Sequence, residues 1–137
     1  MTYSNAEIRH RIFIGIPIGH RAKQSIDRLL KPLQMHSENL RWVPSSNLHL
    51  TLAFLGDISN DELQSVETGF AEAYATSGQI DFQLTALERF PNSRGRIIAL
   101  TGEVSESLLA LAMATRDMLT RCGMDFERKK FRPHITL

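Results

Sequence analysis

The sequence L-H-L-T-L-A-F-L, from Leu48 to Leu55, is the stretch that most constrains the fold. Its apolar residues alternate with His49, Thr51 and Ala53. A period of two predicts a β-strand, because successive side chains of a strand point to opposite faces. The leucine face is expected to enter a core, which leaves His49 and Thr51 together on the other face. This stretch therefore predicts a strand that displays two polar side chains on one surface.

The same pattern closes the sequence, where F-R-P-H-I-T-L carries His134 and Thr136. One H-x-T triplet among five histidines has little specificity. Two copies, both followed by leucine and both on predicted strands, form a far more specific signal. His49 and His134 are therefore the leading candidates for a functional site.

An internal repeat relates the two motifs. His134 lies 85 residues after His49, and the same shift superimposes the apolar segments R-I-F-I and R-I-I-A. Each half then consists of a predicted strand, a helix, a polar connector and an H-x-T-L strand. We therefore expect a duplicated unit whose halves span approximately residues 11–76 and 96–137.

The rest of the sequence alternates between strand and helix patterns. Apolar residues at three- and four-residue spacing predict helices, and short apolar or alternating runs predict strands. The predicted helices cover residues 22–35, 59–75 and 105–121, and the predicted strands cover 11–18, 40–43, 48–55, 80–90, 96–101 and 131–137. Ser59 and Glu62 have the spacing of a capping box for the second helix, and Gly123 is placed to end the third.

Composition limits the class of protein. A chain of 137 residues suits one domain, and its 42% hydrophobic and 23% charged residues are typical of globular proteins. The formal net charge of +1 gives no overall electrostatic argument for a nucleic-acid partner. No stretch approaches the roughly 20 apolar residues of a membrane span, and residues 1–11 lack the apolar core of a secretion signal. With Cys122 as its single cysteine, we expect a cytoplasmic protein without disulfides and without membrane association.

A pair of histidines suits phosphodiester chemistry. An imidazole titrates near neutral pH, so one histidine can take a proton from water while the other gives one to a leaving oxygen. Thr51 and Thr136 follow their histidines on the same face, and their hydroxyls can hold phosphate oxygens. A metal site is the main alternative, but no Asp, Glu or Cys stands at matching places in both motifs, so we predict no metal. The other histidines, His10, His20 and His36, are expected at the surface.

Basic residues cluster before the second motif. They are Arg128, Lys129, Lys130 and Arg132, with Arg94 and Arg96 further upstream. Such clusters attract polyanions, although a solvated charged loop explains 128–130 alone equally well. Trp42 and Phe131 are candidates for stacking on a nucleobase, with burial in the core as the alternative.

The residues around both motifs closely resemble a known family. R-W-V-P-S-S-N-L-H-L-T-L-A-F-L-G at 41–56 and F-R-P-H-I-T-L at 131–137 are similar to the two-histidine (2H) phosphoesterases. Within them, the resemblance is to the RNA 2′,3′-cyclic phosphodiesterases, formerly called 2′-5′ RNA ligases. The central segments R-F-P and R-I-I-A-L also look like that family. The resemblance implies an α+β fold with two pseudo-symmetric lobes of antiparallel sheet, flanked by helices, around a central groove.

The resemblance also implies an activity. It makes the chain an RNA 2′,3′-cyclic 3′-phosphodiesterase that needs no metal or other cofactor and leaves a 2′-phosphomonoester, with reversible 2′-5′ RNA ligation as a further reaction. His49 would be the proton donor, His134 the proton acceptor, and Thr51 and Thr136 would bind the phosphate. The partner is RNA with a 2′,3′-cyclic phosphate end. The alternatives are a small cyclic nucleotide or ADP-ribose cyclic phosphate as substrate, or a noncatalytic RNA-binding module.

One departure from the family lies at the end of the sequence. The family carries a basic residue just past the second motif and a further C-terminal segment, whereas this sequence stops at Leu137. We expect residues 1–137 to form a single 2H phosphoesterase domain whose second lobe is truncated at its C-terminus. A monomer is expected, with a sheet edge that a partner chain could cover.

Overall fold

The computed structural model describes residues 7–37, 39–75 and 77–137. In these ranges it contains five β-strands, three α-helices and one 3₁₀ turn, so the α+β class is confirmed. The elements are β1 (Arg9–Pro17), α1 (His20–Met35), the 3₁₀ turn (Ser45–Asn47), β2 (His49–Ser59), α2 (Asn60–Ala73), β3 (Gln83–Phe90), β4 (Ile97–Glu103), α3 (Glu106–Arg121) and β5 (His134–Thr136). No helix in the described part of the chain is long and apolar enough to cross a membrane.

The described strands form one sheet in the order β1-β2-β5-β4-β3. The β2–β5, β5–β4 and β4–β3 pairs are all antiparallel, as expected. The antiparallel sheet with flanking helices that the resemblance implied is confirmed for the described residues. The short strand β5 pairs with β2 on one side and with β4 on the other, which joins both motif strands in a single sheet.

Residues 40–43 do not form a strand, so the strand predicted there is wrong. Its last residue, Val43, donates one backbone hydrogen bond to the Leu137 carbonyl at 2.7 Å. Pro44 follows and has no N–H to extend a ladder, so the chain enters the 3₁₀ turn instead. The Ser45 hydroxyl ties this turn to α1 by donating to the Asp27 carboxylate at 2.9 Å.

The chain divides into two compact units that interleave along the sequence. The first unit comprises the chain up to Ile14, Leu52–Phe82 and Val104–Phe131. Helices α2 and α3 pack closely in the first unit. Gly69 of α2 lies so near α3 that a Cβ at this position would come within 2.9 Å of the Met118 side chain. Such a close approach leaves no room for a larger residue at position 69.

Both predicted helix signals of the first unit are confirmed. The Ser59 hydroxyl accepts from the Glu62 N–H while the Glu62 carboxylate accepts from the Ser59 N–H, which forms the predicted capping box. Gly123 follows α3 with a φ of 71°, in the left-handed region that favours glycine.

Folding changes the pKa of Tyr74 in the first unit. Burial raises the pKa of Tyr74 above its ordinary value, and a hydrogen bond with Thr115 offsets part of the rise. The Thr115 hydroxyl is fully buried and donates to the Leu111 carbonyl at 2.8 Å. The Tyr74 and Thr115 hydroxyls form a hydrogen bond with each other.

The second unit contains both H-x-T-L motifs and is formed by Gly15–Thr51, Gln83–Glu103 and Arg132–Leu137. It includes α1, β3, β4, β5 and the start of β2. Its core consists of apolar side chains that are at most 5% exposed, namely Ile26, Leu30, Leu48, Leu50, Ala99, Leu100, Ile135 and Leu137. The leucine and isoleucine positions of both motifs thus anchor their strands, as the alternating pattern predicts. The single-domain boundaries and the repeat halves stay predictions.

Candidate active site

His49 opens β2, with Leu48 between it and the end of the 3₁₀ turn. Its Nδ1–H donates to the Asn47 carbonyl oxygen at 2.7 Å, and its Nε2 lies 3.1 Å from the Thr51 hydroxyl oxygen. Because a carbonyl oxygen can only accept, Nδ1 carries a proton. Nε2 is therefore the nitrogen that can gain or lose a proton, and the Thr51 hydroxyl contacts it in either state.

His134 opens β5 with the same local geometry. Its Nδ1–H donates to the Arg132 carbonyl oxygen at 2.9 Å. Each motif histidine thus bonds the carbonyl two residues before it, and Asn47 and Arg132 are themselves 85 residues apart. This shared bond is what equivalent positions of a repeat would show. It leaves Nε2 as the reactive nitrogen of both rings.

The pairing of β2 with β5 brings the two motifs together on one face. Leu50 pairs with Ile135, and both side chains are 2% exposed on the core side. In an antiparallel ladder the neighbouring positions then pair His49 with Thr136 and Thr51 with His134. These four half-buried side chains share the opposite face, which we call the motif face.

The two histidines occupy diagonal corners of the motif face. Cross-strand diagonal neighbours lie about 7–8 Å apart at Cα, whereas directly opposite residues lie about 4.5–5.5 Å apart. One phosphate group fits between two imidazoles at that spacing. A nucleophile and a leaving group on opposite sides of its phosphorus would each meet one histidine, and a threonine hydroxyl would flank each of them.

Thr101 adds a hydroxyl that nothing in the local sequence pattern predicts. It lies on β4 directly opposite His134, on the side away from β2. Directly paired residues share a face, so Thr51, His134 and Thr101 form a row across three strands. Its relation to the site follows only from the pairing of β5 with β4.

Phe90 and Arg132 hold the His134 ring. The Phe90 ring stacks on the His134 imidazole with 3.9 Å between centroids and 19° between planes. The Arg132 guanidinium lies 4.6 Å from the Phe90 centroid and donates to the Pro91 carbonyl at 2.7 Å. Arg132 therefore acts on His134 twice, through its own carbonyl and through the Phe90 ring. We call Phe90 and Arg132 the His134 clamp.

The other histidines make contacts unrelated to the motif face. His10 bonds the Asn60 side chain at 2.5 Å, His20 contacts Gln24 within α1 at 3.2 Å, and His36 is exposed. The surface positions predicted for His20 and His36 are confirmed, whereas His10 is half-buried.

The predicted basic and aromatic contributors are distributed between the units. Arg128 lies over the Phe126 ring at 4.9 Å and Lys129 pairs with Glu127 at 3.0 Å, all in the first unit. Trp42 and Phe131 are both half-buried. The Trp42 indole N–H is buried and has no hydrogen-bond partner within the described ranges. The stacking of either ring on a base stays a prediction.

The described residues also bear on metal binding. Across 7–37, 39–75 and 77–137, no three His, Cys, Asp or Glu side chains lie together in a way that could hold a metal ion. The metal-independent chemistry predicted for the motifs stays a prediction.

Comparison of this sequence with known proteins finds matches to one family. Residues 16–99 match the family described as LigT like Phosphoesterase, a match that includes the first motif. An RNA 2′,3′-cyclic phosphodiesterase of Escherichia coli is 34% identical over 128 residues, which are 93% of this chain and 70% of that protein. A protein of the same name from Geobacillus stearothermophilus is 30% identical over 132 residues, and there the chain spans only 41% of the relative's length.

Structure comparison agrees with the sequence matches. The crystal structure of E. coli LigT complexed with 3′-AMP superposes with a TM-score of 0.76 and 27% identity, covering 95% of this chain and 72% of that one. The apo form of the same protein gives a TM-score of 0.75. The similarity therefore extends over nearly all of the chain.

Proposed function

Because this chain belongs to the LigT-like phosphoesterase family, we propose that it hydrolyses RNA 2′,3′-cyclic phosphate ends to 2′-phosphomonoesters without a metal or other cofactor. The observation that carries the proposal is the diagonal placement of His49 and His134 on the motif face, with Thr51 and Thr136 at the other corners. The names of the similar proteins from E. coli and G. stearothermophilus supply the substrate class.

The chemistry requires two proton transfers. His134 takes a proton from water on Nε2 as the water oxygen attacks phosphorus. The bond between phosphorus and the 3′ oxygen breaks, and His49 gives its Nε2 proton to that oxygen. The products are a 3′-hydroxyl and a 2′-phosphomonoester. The assignment of donor and acceptor follows the family resemblance, and the Nδ1 bonds to Asn47 and Arg132 support both roles by reserving Nε2 for the transfer.

The two threonines would hold the phosphate while these transfers occur. A hydroxyl donates to a nonbridging phosphate oxygen, and a charge-assisted bond of this kind is stronger than a neutral one. Thr51 faces His134 and Thr136 faces His49 across the strand pair, so each hydroxyl lies beside one imidazole. This arrangement supports binding of the phosphate between them.

Two finer statements belong to the same proposal. A 5′-hydroxyl in place of water would give 2′-5′ ligation at the same face, with the same proton donor and acceptor. We also place the activity in the cytoplasm, since Cys122 is a free thiol and the sequence holds no second cysteine for a disulfide.

The test is turnover of a short RNA that ends in a 2′,3′-cyclic phosphate, with a chelator present. We expect His49→Ala and His134→Ala each to lower kcat by about 10²- to 10⁴-fold. His20→Ala is the matched control, because His20 is exposed on α1 and contacts Gln24 within the same helix. Full turnover by either motif variant would contradict the assignment.

Other results would favour the alternatives. Turnover of nucleoside or ADP-ribose cyclic phosphates but not of RNA would indicate a small-molecule enzyme. RNA binding without turnover, unchanged in both motif variants but weakened by charge reversal at Lys129 and Lys130, would indicate a noncatalytic RNA-binding module.

A further inference from the structure

A cavity of about 370 Å³ lies beside the His134 clamp in the second unit. Its lining residues are Glu88, Arg89, Pro91, Asn92, Ser93 and Arg132. We propose that this cavity, the arginine subsite, binds the phosphodiester on the 5′ side of the terminal nucleotide of the RNA. The proposal rests on the proposed function and adds to it a second phosphate site that selects oligonucleotides over mononucleotides.

The first support is the position of the arginine subsite relative to the reacting phosphate. Arg132 lines the cavity, its guanidinium lies over Phe90, and Phe90 stacks on His134. The Phe90 ring therefore links a residue that lines the cavity to an imidazole of the motif face. A strand whose cyclic end lies on the motif face has its next phosphate a short step along the backbone, within reach of this cavity.

The second support is charge. Arg89 and Arg132 both line the cavity, and Glu88 is its one acidic lining residue. Arg94 and Arg96 follow on the same connection between β3 and β4 and are exposed. Within the described ranges, the ion pairs are Arg9–Glu7 and Lys129–Glu127, so none of these four arginines is neutralised by one. Exposed guanidinium groups that lack carboxylate partners suit phosphate oxygens, which they bind in a bidentate manner.

The third support is that contacts within and beside the connection between β3 and β4 hold it in one conformation. The Arg94 N–H donates to the Asn92 side-chain oxygen at 2.9 Å, which leaves the Asn92 amide group as a donor. A Cβ on Gly95 would come within 2.0 Å of the Phe90 carbonyl oxygen, so the turn folds back closely on the end of β3. The Arg132 bond to Pro91 holds the other side. A preorganised turn loses less conformational entropy when it binds an anion.

The experiment compares substrates that differ by one phosphodiester. A nucleoside 2′,3′-cyclic phosphate and a dinucleotide ending in the same cyclic phosphate are turned over by the wild type, by Arg89→Ala and by the matched control Arg28→Ala. Arg28 is exposed on α1, so its removal changes the net charge equally but lies outside the cavity lining.

We expect Arg89→Ala to raise KM for the dinucleotide about tenfold, since a hydrogen bond to a charged group is lost. KM for the nucleoside cyclic phosphate should change less than twofold. The slope of log(kcat/KM) against log salt for the dinucleotide should become shallower by about 0.7, the value for one contact to single-stranded nucleic acid. Arg28→Ala should match the wild type on both substrates.

Three outcomes would overturn the arginine subsite. These are equal losses on both substrates, no loss on either, or an equal loss in Arg28→Ala. If the wild type turns over no cyclic phosphate, the proposed function fails and the subsite is judged by fluorescence anisotropy with a labelled dinucleotide. Weaker binding to Arg89→Ala than to Arg28→Ala then supports the subsite, and equal binding overturns it.

Discussion

Replacing Phe90 by leucine tests whether the His134 clamp positions the imidazole for catalysis. Phe90 is half-buried at the end of β3 and contacts His134 through a nearly parallel ring stack. Leucine keeps much of the apolar volume but removes the flat ring. We expect the His134 ring to rotate more freely about its side-chain bonds and to hold its Nδ1 bond to Arg132 for less of the time.

The size of the effect follows from the contact that is lost. An aromatic pair contributes about 0.5–1.5 kcal/mol beyond the area it buries. Since each 1.36 kcal/mol changes a rate about tenfold, kcat should fall about 2- to 13-fold. KM should change less than twofold, because Thr51 and Thr136, the proposed phosphate ligands, are untouched. This loss is much smaller than the one expected for His134→Ala, where the proposed proton acceptor itself is removed.

The assay is kcat and KM on the RNA cyclic phosphate, combined with proton NMR of the His134 ring. The ring current of Phe90 shifts the imidazole protons in the wild type, and Phe90→Leu should abolish that shift. Phe90→Tyr keeps the stack and should stay within about twofold of wild-type kcat. Phe54→Leu is the matched control, because the Phe54 ring also lies below an arginine, at 5.3 Å from Arg11, but belongs to the first unit.

Two results would refute the positioning role of Phe90. One is unchanged kcat in Phe90→Leu together with loss of the ring-current shift, which would show that the stack exists but does not assist catalysis. The other is an equal fall of kcat in Phe90→Leu and Phe54→Leu, which would indicate general destabilisation. Thermal unfolding of each variant separates the second case from a local effect.

Two further predictions concern single hydroxyl groups. Thr101→Val removes the hydroxyl beside His134 without changing the shape of the side chain. We expect kcat to fall about 2- to 10-fold in this variant and to recover in Thr101→Ser, which restores the hydroxyl. Unchanged kcat in the valine variant would exclude Thr101 from the reaction. Folding raises the pKa of Tyr74, so the stability that the neutral phenol provides is fully present below its unfolded pKa of about 10 and is lost as pH rises through the folded pKa. Ultraviolet titration of a Tyr3→Phe variant, in which Tyr74 is the remaining tyrosine, should show a midpoint above that of the unfolded chain, and a midpoint at or below it would contradict this.

Local patterns predicted most secondary structure because they depend on neighbouring residues alone. The period of two around His49 and the capping box at Ser59 each identify an element from a few adjacent positions. The failed strand at 40–43 shows the limit of this reasoning. Its apolar run suits a strand, but Val43 finds one backbone partner, Leu137, and Pro44 ends the pairing.

By itself, the sequence determined which side chains share a face of each motif strand, because alternation along a strand is a property of its own backbone. His49 and Thr51 could be paired in this way, as could His134 and Thr136. Only the tertiary structure decided that the two pairs meet, that Thr101 lies opposite His134, and that Phe90 covers the imidazole. These contacts depend on strand register and on segments more than 30 residues apart, and no local period encodes the register between distant strands.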